Sequence, residues 1–236
     1  MPSIKDMLHS MCKRAPWCHG VSVDDIQRLE PVSRIFGLDR GTPIDRFYIE
    51  RFLEQNSGLV RGEVLEVGSA HYTERFGGDQ VTRSYVLLTE SAAAEETIIV
   101  GDLTDTASLP AGLADCFICT QTFNFIYDVA KAIEGAHHLL KPGGTLLVSV
   151  AGISQISRYD MDRWGDYWRF TSASLQRLFE PVFGASVEVA SHGNLPMSMA
   201  FLQGITLEDL PDRALLDPPD PDYQMLLTVV ARKGLP

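Results

Sequence analysis

The length, composition and charge of the chain limit the classes to which it can belong. It has 236 residues, of which 45% are hydrophobic and 22% are charged, and this size fits one α/β domain with a modest extension. The 31 acidic residues outnumber the 20 basic ones, so the net charge is −11 and the surface repels phosphate backbones. No apolar run has the length of a membrane span, and the first twenty residues lack the pattern of a signal peptide. We therefore expect a cytoplasmic protein that binds neither nucleic acid nor membrane.

The cysteines do not predict a metal or redox site. Cys116 and Cys119 form a C-x-x-C pair within an apolar strand pattern, where residues three apart point to opposite faces of a sheet. Two buried structural thiols are therefore expected there. Cys12 and Cys18 have histidines nearby, but their spacing matches no common zinc module. The sequence predicts that no metal is bound.

The first 41 residues have no strand character and are predicted to form an N-terminal helical cover. This cover packs on the main domain or acts as a lid over a ligand cleft. A helix is then predicted from Thr42-Pro43-Ile44-Asp45 to Asn56. The start offers a capping threonine, a proline at the first helical position and an acid in the first turn.

From residue 63 onward, short apolar strands alternate with helices. A helix is predicted over 126–140, ended by the turn Lys141-Pro142-Gly143-Gly144, and another begins at Thr171 or Ser172. Residues 194–223 form an insertion between the last two strands, with a helix over 197–204. The alternation predicts a Rossmann-like, seven-stranded, mostly parallel α/β sheet with helices on both faces. The predicted strands are 63–67, 84–88, 97–100, 114–120, 145–150, 187–190 and 224–231.

Three strand ends carry residues that indicate a ligand. Gly68 ends the first strand, where a glycine lets the backbone approach a ligand closely. Glu90 follows the second strand, and an acid about twenty residues beyond the glycine turn is the usual partner of ribose hydroxyls. Asp102 follows the third strand. Ligands of open α/β sheets bind outside the carboxyl ends of the strands, so these three residues predict an adenosine site.

Four motifs in order then resemble a known family. They are V-L-E-V-G, G-D-L, D-C-F-I-C-T-Q-T-F-N-F-I-Y-D and L-L-K-P-G-G-T-L-L-V-S-V, and together they are similar to the motifs of class I S-adenosylmethionine-dependent methyltransferases of type 11. W-G-D-Y-W-R-F-T at 164–171 resembles a branch that modifies glycans and natural products. The resemblance covers residues from about 42 to 192, and we expect 42–236 to form the methyltransferase domain.

The resemblance implies S-adenosylmethionine as the cofactor and a role for each matching position. Glu90 would bind the ribose, and Asp102 the adenine amino group, with the Leu103 amide nearby. Thr120 and Gln121 would face the methionine amine or the methyl group. The part of the site near the methionine would be formed by Glu66 and Gly68, with Ser69 and Ala70 in the turn.

One position departs from the family pattern. Its first motif usually continues as G-x-G-x-G, whereas this chain has Gly68-Ser69-Ala70-His71-Tyr72. Tyrosine cannot reproduce the backbone freedom of the third glycine. The departure predicts either another loop path, in which His71 or Tyr72 contacts the cofactor, or weakened binding.

The expected activity is methyl transfer to a small-molecule, natural-product or glycosidic acceptor, with O-methylation favoured. Such a displacement needs alignment, and an oxygen or nitrogen acceptor also needs a base. His71 and Asp166 are the preferred catalytic residues. Tyr167, Trp168 and Arg169 are expected to bind the acceptor, although the aromatic pair equally suits a loop anchor and Asp166 could pair with Arg169. The remaining candidate bases are His192, Asp160 and Asp162, whereas His137 and His138 are expected to be structural.

Two other functions remain open at this point. A nicotinamide oxidoreductase would use a similar sheet, but the broken glycine pattern and the Lys-Pro-Gly-Gly turn disfavour it. A methyltransferase-like fold without methyl transfer, as a binding subunit or a catalyst of another reaction, is supported by the altered loop from Gly68 to Tyr72. The pattern names neither the acceptor nor the oligomeric state, and a homo-oligomer stays open.

Overall fold

A computed structural model describes residues 30–90 and 95–235 of the chain. Most of the predicted N-terminal cover, including Cys12 and Cys18, lies outside these residues. From Ser33 onward the described residues belong to one compact unit, which contains the sheet. Among the described residues, no helix combines the length and the apolar character needed to cross a membrane.

The sheet has seven strands in the order β3-β2-β1-β4-β5-β7-β6. β7 runs antiparallel to both of its neighbours, and the other pairs are parallel. This arrangement confirms the predicted Rossmann-like, mostly parallel sheet. The strands are β1 (Gly62–Val67), β2 (Val81–Leu88), β3 (Ile98–Val100), β4 (Ala114–Thr120), β5 (Leu140–Ala151), β6 (Val187–His192) and β7 (Leu226–Arg232).

Six α-helices flank the sheet in the described part of the chain. α5 has Thr171, one of the two starts that the sequence predicts, as its cap residue, and Thr171 forms a capping box with Ser174. The predicted Thr42 cap of α1 is wrong, because Pro43 occupies the cap position and Thr42 instead donates from its backbone and hydroxyl to Glu208. The helices are α1 (Ile44–Gln55), α2 (His71–Gly77), α3 (Val129–Leu139), α4 (Arg158–Met161), α5 (Ser172–Phe183) and α6 (Leu195–Gln203).

Two hydrophobic cores lie on opposite faces of the sheet. One joins the strands to α3 and α5, and the other joins them to α1 and α6. Cys116 lies in the second core and Cys119 in the first, which confirms that the C-x-x-C pair cannot share a ligand. Both thiols are fully buried, and burial raises the pKa of each to about 12. They are structural residues.

The Lys-Pro-Gly-Gly turn lies inside β5, although the sequence predicts it before the strand. Ala114 pairs with Leu140 and Cys116 with Thr145, so residues 141–144 lie opposite Asp115 alone. The extra residues form a bulge, in which Gly143 has a φ of 79°. The Nζ of Lys141 lies 2.8 Å from the carboxylate of Asp115. The sequence pattern of a strand with a bulge near its start is therefore the same as that of a turn followed by a shorter strand.

The insertion of residues 194–223 is tied to the chain around the start of α1. The Oη of Tyr48 donates to the carbonyl of Leu216 over 2.8 Å, and Arg51 pairs with Asp217 at 2.9 Å. Together with the bonds from Thr42 to Glu208, these contacts hold α1 in place next to the insertion. We call this set of contacts the clasp.

Residues 30–41 contain turns and bends where the sequence predicts a helical cover. The Ser33 hydroxyl accepts hydrogen bonds from the backbone N–H groups of Ile35 and Gly37. Such local bonds between side chain and backbone compete with a helix. Phe36, at a φ of 63°, stacks on Phe201 of α6 with 5.7 Å between ring centroids.

Candidate functional site

A cleft of about 350 Å³ opens where β1 and β4 end, beside the first turn of α1. Its volume lies in the range of ligand pockets, roughly 300–1,000 Å³. Five of the residues predicted from the sequence line it, which are Glu66, Ser69, His71, Thr120 and Gln121. We call it the first cleft.

The turn after β1 leaves open space above Gly68. This glycine has a φ of 81°, and its N–H donates to the carbonyl of Leu87 over 3.1 Å. A Cβ built at Gly68 would meet no atom within 4 Å. The glycine is therefore required by its backbone conformation, and the space above it is free for a ligand.

Glu66 is buried at the end of β1 and fixes the start of α2. Its carboxylate accepts the backbone N–H groups of Tyr72 and Thr73, at 3.1 and 2.7 Å, and the hydroxyl of Thr73 at 2.8 Å. Burial raises the pKa of this carboxyl, and the hydrogen bonds oppose the rise. Glu66 thus lines the first cleft while it holds a helix terminus there.

The helix that begins at His71 explains how Tyr72 replaces the third glycine of the motif. Ala70 is the cap residue of α2 and Tyr72 is a buried helical residue, so this position needs no positive φ. His71 and Tyr72 both line the first cleft. The loop therefore takes a path other than that of a glycine-rich turn, and contact of His71 or Tyr72 with a cofactor stays a prediction.

Glu90, Asp102 and Leu103 lie at the ends of β2 and β3, outside the first cleft. The carboxylates of Glu90 and Asp102 are exposed, and Oδ1 of Asp102 accepts from the backbone and hydroxyl of Thr104. The side chain of Leu103 is buried, which leaves only its backbone for a ligand. Because β1, β2 and β3 are parallel neighbours, these residues share the edge at which Gly68 lies.

A second cleft, of about 340 Å³, adjoins the first. The two share five lining residues, which are Phe36, Leu38, Asp45, Arg46 and Gln121. We call this shared wall the junction. Gln121 has a φ of 47°, an unusual conformation for a residue other than glycine. Such backbone strain is frequent at functional sites.

Asp166 and Arg169 line the second cleft as an ion pair. The guanidinium binds the carboxylate through two bonds of 2.5 and 2.9 Å, and the backbone N–H of Ser157 donates to the same carboxylate over 2.9 Å. The Asp166 side chain is only 1% exposed. Arg169 also donates to the carbonyls of Ser154 and Gln155. Asp166 therefore holds Arg169 in place rather than standing free as a base.

Tyr167 and Trp168 do not line either cleft, although the sequence predicts that they bind the acceptor. The indole Nε1 of Trp168 donates to the carbonyls of Ile126 and Tyr127 at 3.1 and 3.2 Å. Both aromatic rings pack against the ring of Tyr127. The contacts fit the alternative interpretation, in which this pair anchors the loop after β5.

The other candidate bases are engaged or lie elsewhere. Asp160 lines the second cleft, but its carboxylate accepts from Ser157 and Trp164. Asp162 is exposed outside both clefts. His192 also lies outside them, 2.9 Å from the Thr228 hydroxyl, and burial lowers its pKa to about 4.

The two histidines of α3 make the structural contacts expected of them. His137 packs edge-on against Phe183, with 5.0 Å between ring centroids, and burial lowers its pKa. Nε2 of His138 lies 3.3 Å from the carbonyl of Leu109. Within the described residues, no group of three or more His, Cys, Asp or Glu side chains is placed to hold a metal ion.

Three residues at the clefts escape sequence analysis. Asp45 and Arg46 lie at the junction, and the guanidinium of Arg46 makes no hydrogen bond or salt bridge with a described residue, although its backbone N–H donates to Asp45. Asn124 lines the second cleft, and its buried amide oxygen has no hydrogen-bond partner in the part of the chain that the structure describes. An acid in the first turn of a helix is ordinary, and the burial of Asn124 depends on the tertiary structure. Neither gives a signal in the sequence.

Comparison with known proteins shows which proteins share this fold. Residues 60–148 match the family model described as "Methyltransferase domain". The N-methyltransferase NodS from Bradyrhizobium japonicum WM9, solved with S-adenosyl-L-homocysteine, is 14% identical, with a TM-score of 0.52 over 86% of this chain and 94% of that one. A methyltransferase from Mesorhizobium loti is 18% identical, with a TM-score of 0.50 over 84% and 100%.

A third similar structure belongs to a protein that is named for a different activity. The [4+2]-cyclase SpnF is 15% identical, with a TM-score of 0.52 over 87% of this chain and 89% of that one. At these identities the three structures show a shared fold. No curated protein matches this chain in sequence.

Proposed function

We propose that this chain, of which residues 60–148 match a methyltransferase domain, methylates a small-molecule, natural-product or glycosidic acceptor, with oxygen as the favoured target. The cofactor is S-adenosylmethionine, which supplies a methyl group on a sulfonium. The observation that carries the proposal is the pair of clefts that meet at the junction. One lies against the Gly68 turn, and the other against the loop after β5.

The residues of the first cleft fit the methionine part of the cofactor. Ser69 and Gln121 offer polar groups, and the guanidinium of Arg46 offers a positive charge without a partner among the described side chains. A carboxylate beside Arg46 would form charge-assisted hydrogen bonds. His71 lines this cleft but not the second, so we place it on the cofactor side rather than at the acceptor.

The adenosine would extend over the ends of β2 and β3. Glu90 would accept hydrogen bonds from the ribose hydroxyls, and Asp102 from the adenine amino group. The backbone N–H of Leu103 would reach the adenine ring. The open space above Gly68 lies between this edge and the first cleft, so one elongated ligand would contact both parts.

The second cleft would hold the acceptor. It meets the first cleft only at the junction, so an acceptor atom there faces a methyl group that enters from the cofactor side. Holding both reactants in line accounts for much of the rate enhancement of such a displacement. Arg169, fixed by Asp166, would position the acceptor from the loop after β5.

The alternative without methyl transfer also has one supporting observation. SpnF, which shares this fold, is a [4+2]-cyclase, and a fold does not settle a function. The domain match favours methyl transfer, and it disfavours the nicotinamide oxidoreductase.

Mass spectrometry after incubation with methyl-labelled S-adenosylmethionine and candidate acceptors tests the proposal. We expect label in an acceptor and an equal amount of S-adenosylhomocysteine. Cofactor binding without S-adenosylhomocysteine formation in any acceptor mixture would favour the alternative. Binding of NAD in place of S-adenosylmethionine would refute the proposal.

A further inference from the structure

Asp45 is the acid at the point where the two clefts meet. It lies in the first turn of α1 and lines both clefts. Oδ1 accepts the backbone N–H of Arg46 over 2.8 Å, and the second oxygen makes no hydrogen bond to a described residue. The side chain is half-buried. It therefore has an unused acceptor at the place where the reacting atoms would come together.

The other acids around Asp45 already have hydrogen-bond or ion-pair partners, and the neighbouring Arg46 is positively charged. Glu66 is bonded to the start of α2, and Asp166 is paired with Arg169.

Burial raises the pKa of Asp45 to about 6, and the adjacent charge of Arg46 opposes the rise. A carboxyl with such a pKa is ionised at neutral pH and is a stronger base than an ordinary aspartate. The titratable groups that face Asp45 across the clefts are Glu66, His71 and Tyr72 in the first, and Asp160, Asp166 and Arg169 in the second.

Asn124 provides a second, independent observation in the second cleft. The residue is only 2% exposed, yet its amide oxygen has no partner among the described residues. Its backbone carbonyl accepts from Tyr167 and Trp168, so the loop contacts leave the amide unused. A buried polar atom without a partner is costly, and a ligand that donates a hydrogen bond in this cleft would satisfy it.

We propose that Asp45 accepts the proton of the acceptor hydroxyl during methyl transfer, and that the amide oxygen of Asn124 binds a second donor of the same molecule. The inference rests on the proposed function and specifies its acceptor as a neutral alcohol with at least two hydrogen-bond donors, such as a polyol or a sugar. The hydroxyl oxygen forms a bond to the methyl carbon while the bond from carbon to sulfur breaks. The electron pair of that bond stays on sulfur, and the hydroxyl proton passes to Asp45.

The test uses four forms of the full chain, which are the wild type, Asp45→Asn, Asn124→Leu and the control Glu54→Gln. Glu54 is an exposed acid on the same helix, away from both clefts. Binding of methyl α-glucoside, myo-inositol, phenol and ethylamine is measured with S-adenosylhomocysteine present, and methylation of each is followed from pH 5 to 9. Cofactor affinity and melting temperature are measured for every form.

We expect the polyol and the sugar to bind and to be methylated, with a rate that rises through a pH of about 6. Asp45→Asn should lose roughly 100-fold or more in rate, together with this rise, because general bases contribute about 10²–10⁴-fold. Asn124→Leu should weaken alcohol binding at least about 5-fold, the effect of a lost hydrogen bond, while its melting temperature is unchanged or higher. Cofactor affinity should be the same in Asn124→Leu, in Glu54→Gln and in the wild type, and Glu54→Gln should also keep the wild-type rate.

Each contrary result overturns a defined part of the inference. A wild-type pH profile and rate in Asp45→Asn would exclude Asp45 as the proton acceptor. Unchanged alcohol binding in Asn124→Leu would exclude the second contact. Binding of the cofactor without binding or methylation of any alcohol would refute the acceptor class, whereas failure to bind the cofactor would count against the proposed function itself.

Discussion

Asp45 illustrates how a single residue can oppose the stability of the fold while it serves a site. Its carboxyl is half-buried at the junction. Burial raises its pKa by more than the charge of Arg46 and the backbone hydrogen bonds lower it. Acids in the first turn of a helix normally stabilise it through the helix dipole. Here the raised pKa shows that the ionised form is disfavoured in the folded state.

Asp45→Asn is therefore predicted to stabilise the protein above pH 6. The folded pKa of about 6 exceeds the reference value of 3.8, so the stability that the protonated form contributes is full below pH 3.8 and is lost as the pH rises through 6. The variant keeps an acceptor for Arg46 and should gain about 1–3 kcal/mol at pH 8. Thermal unfolding of both forms from pH 4 to 8 measures this gain, which should vanish near pH 4. A variant that is less stable than the wild type at pH 8 would contradict it.

Individual residues are predictable from the sequence where local chemistry fixes them, and not where tertiary contacts do. Gly68 was predictable because a strand end followed by a glycine has a local signature, and its φ of 81° explains the requirement. Asp45 and Asn124 come from segments about 80 residues apart, and only the folded chain brings them to neighbouring walls. The ion pair between Asp166 and Arg169 was predictable as a pairing, but its burial was not.

At the scale of elements, the loop after β5 is organised by that ion pair. Arg169 is bonded to Asp166 and to the carbonyls of Ser154 and Gln155, so one side chain joins both ends of the loop. Trp168 fastens the same loop to the carbonyls of residues 126 and 127. These contacts give the second cleft a fixed wall.

Arg169→Ala is predicted to destabilise the protein more than Asp166→Asn does. The first change leaves a buried carboxylate without its partner, which costs about 3–5 kcal/mol, whereas asparagine still accepts from the N–H of Ser157. Both changes should also reduce methyl transfer and leave the affinity for S-adenosylmethionine nearly intact. Melting temperature, cofactor affinity and turnover are measured on one set of variants.

Arg163→Ala serves as the control for this comparison. Arg163 lies in the same loop but is exposed, and its guanidinium contacts the carbonyl and the ring of the exposed Tyr159, so its removal should alter neither stability nor turnover by much. A loss confined to stability in the Arg169 and Asp166 variants would end the hypothesis that this loop forms a wall of the acceptor pocket.

Elements were predictable where their signals are local. The capping residue Thr171 marks the start of α5 in both the sequence and the structure. The bulge at the start of β5 was not recognised, because proline and two glycines ordinarily indicate a turn. The pairing of Leu140 with Ala114 depends on a neighbouring strand that the local sequence does not reveal.

At the scale of the whole molecule, the alternation of strands and helices was sufficient to predict the sheet and both of its cores. The clasp was not predictable, since it joins residues 42–51 to an insertion more than 150 positions later. By holding α1 in place, the clasp positions the junction on which the proposed reaction depends. The placement of the two clefts is therefore a property of the complete fold.

Calorimetric titration with S-adenosylmethionine and with NAD measures whether the chain binds the proposed cofactor. The wild type should bind S-adenosylmethionine and not NAD. Asp102→Ala and Glu90→Ala should each weaken binding by about 1–3 kcal/mol, the range for a hydrogen bond to a charged group. The control Asp79→Ala removes an exposed acid at the amino end of β2 and should bind as the wild type does. Absence of S-adenosylmethionine binding, or unchanged affinity in both folded alanine variants, would contradict the account.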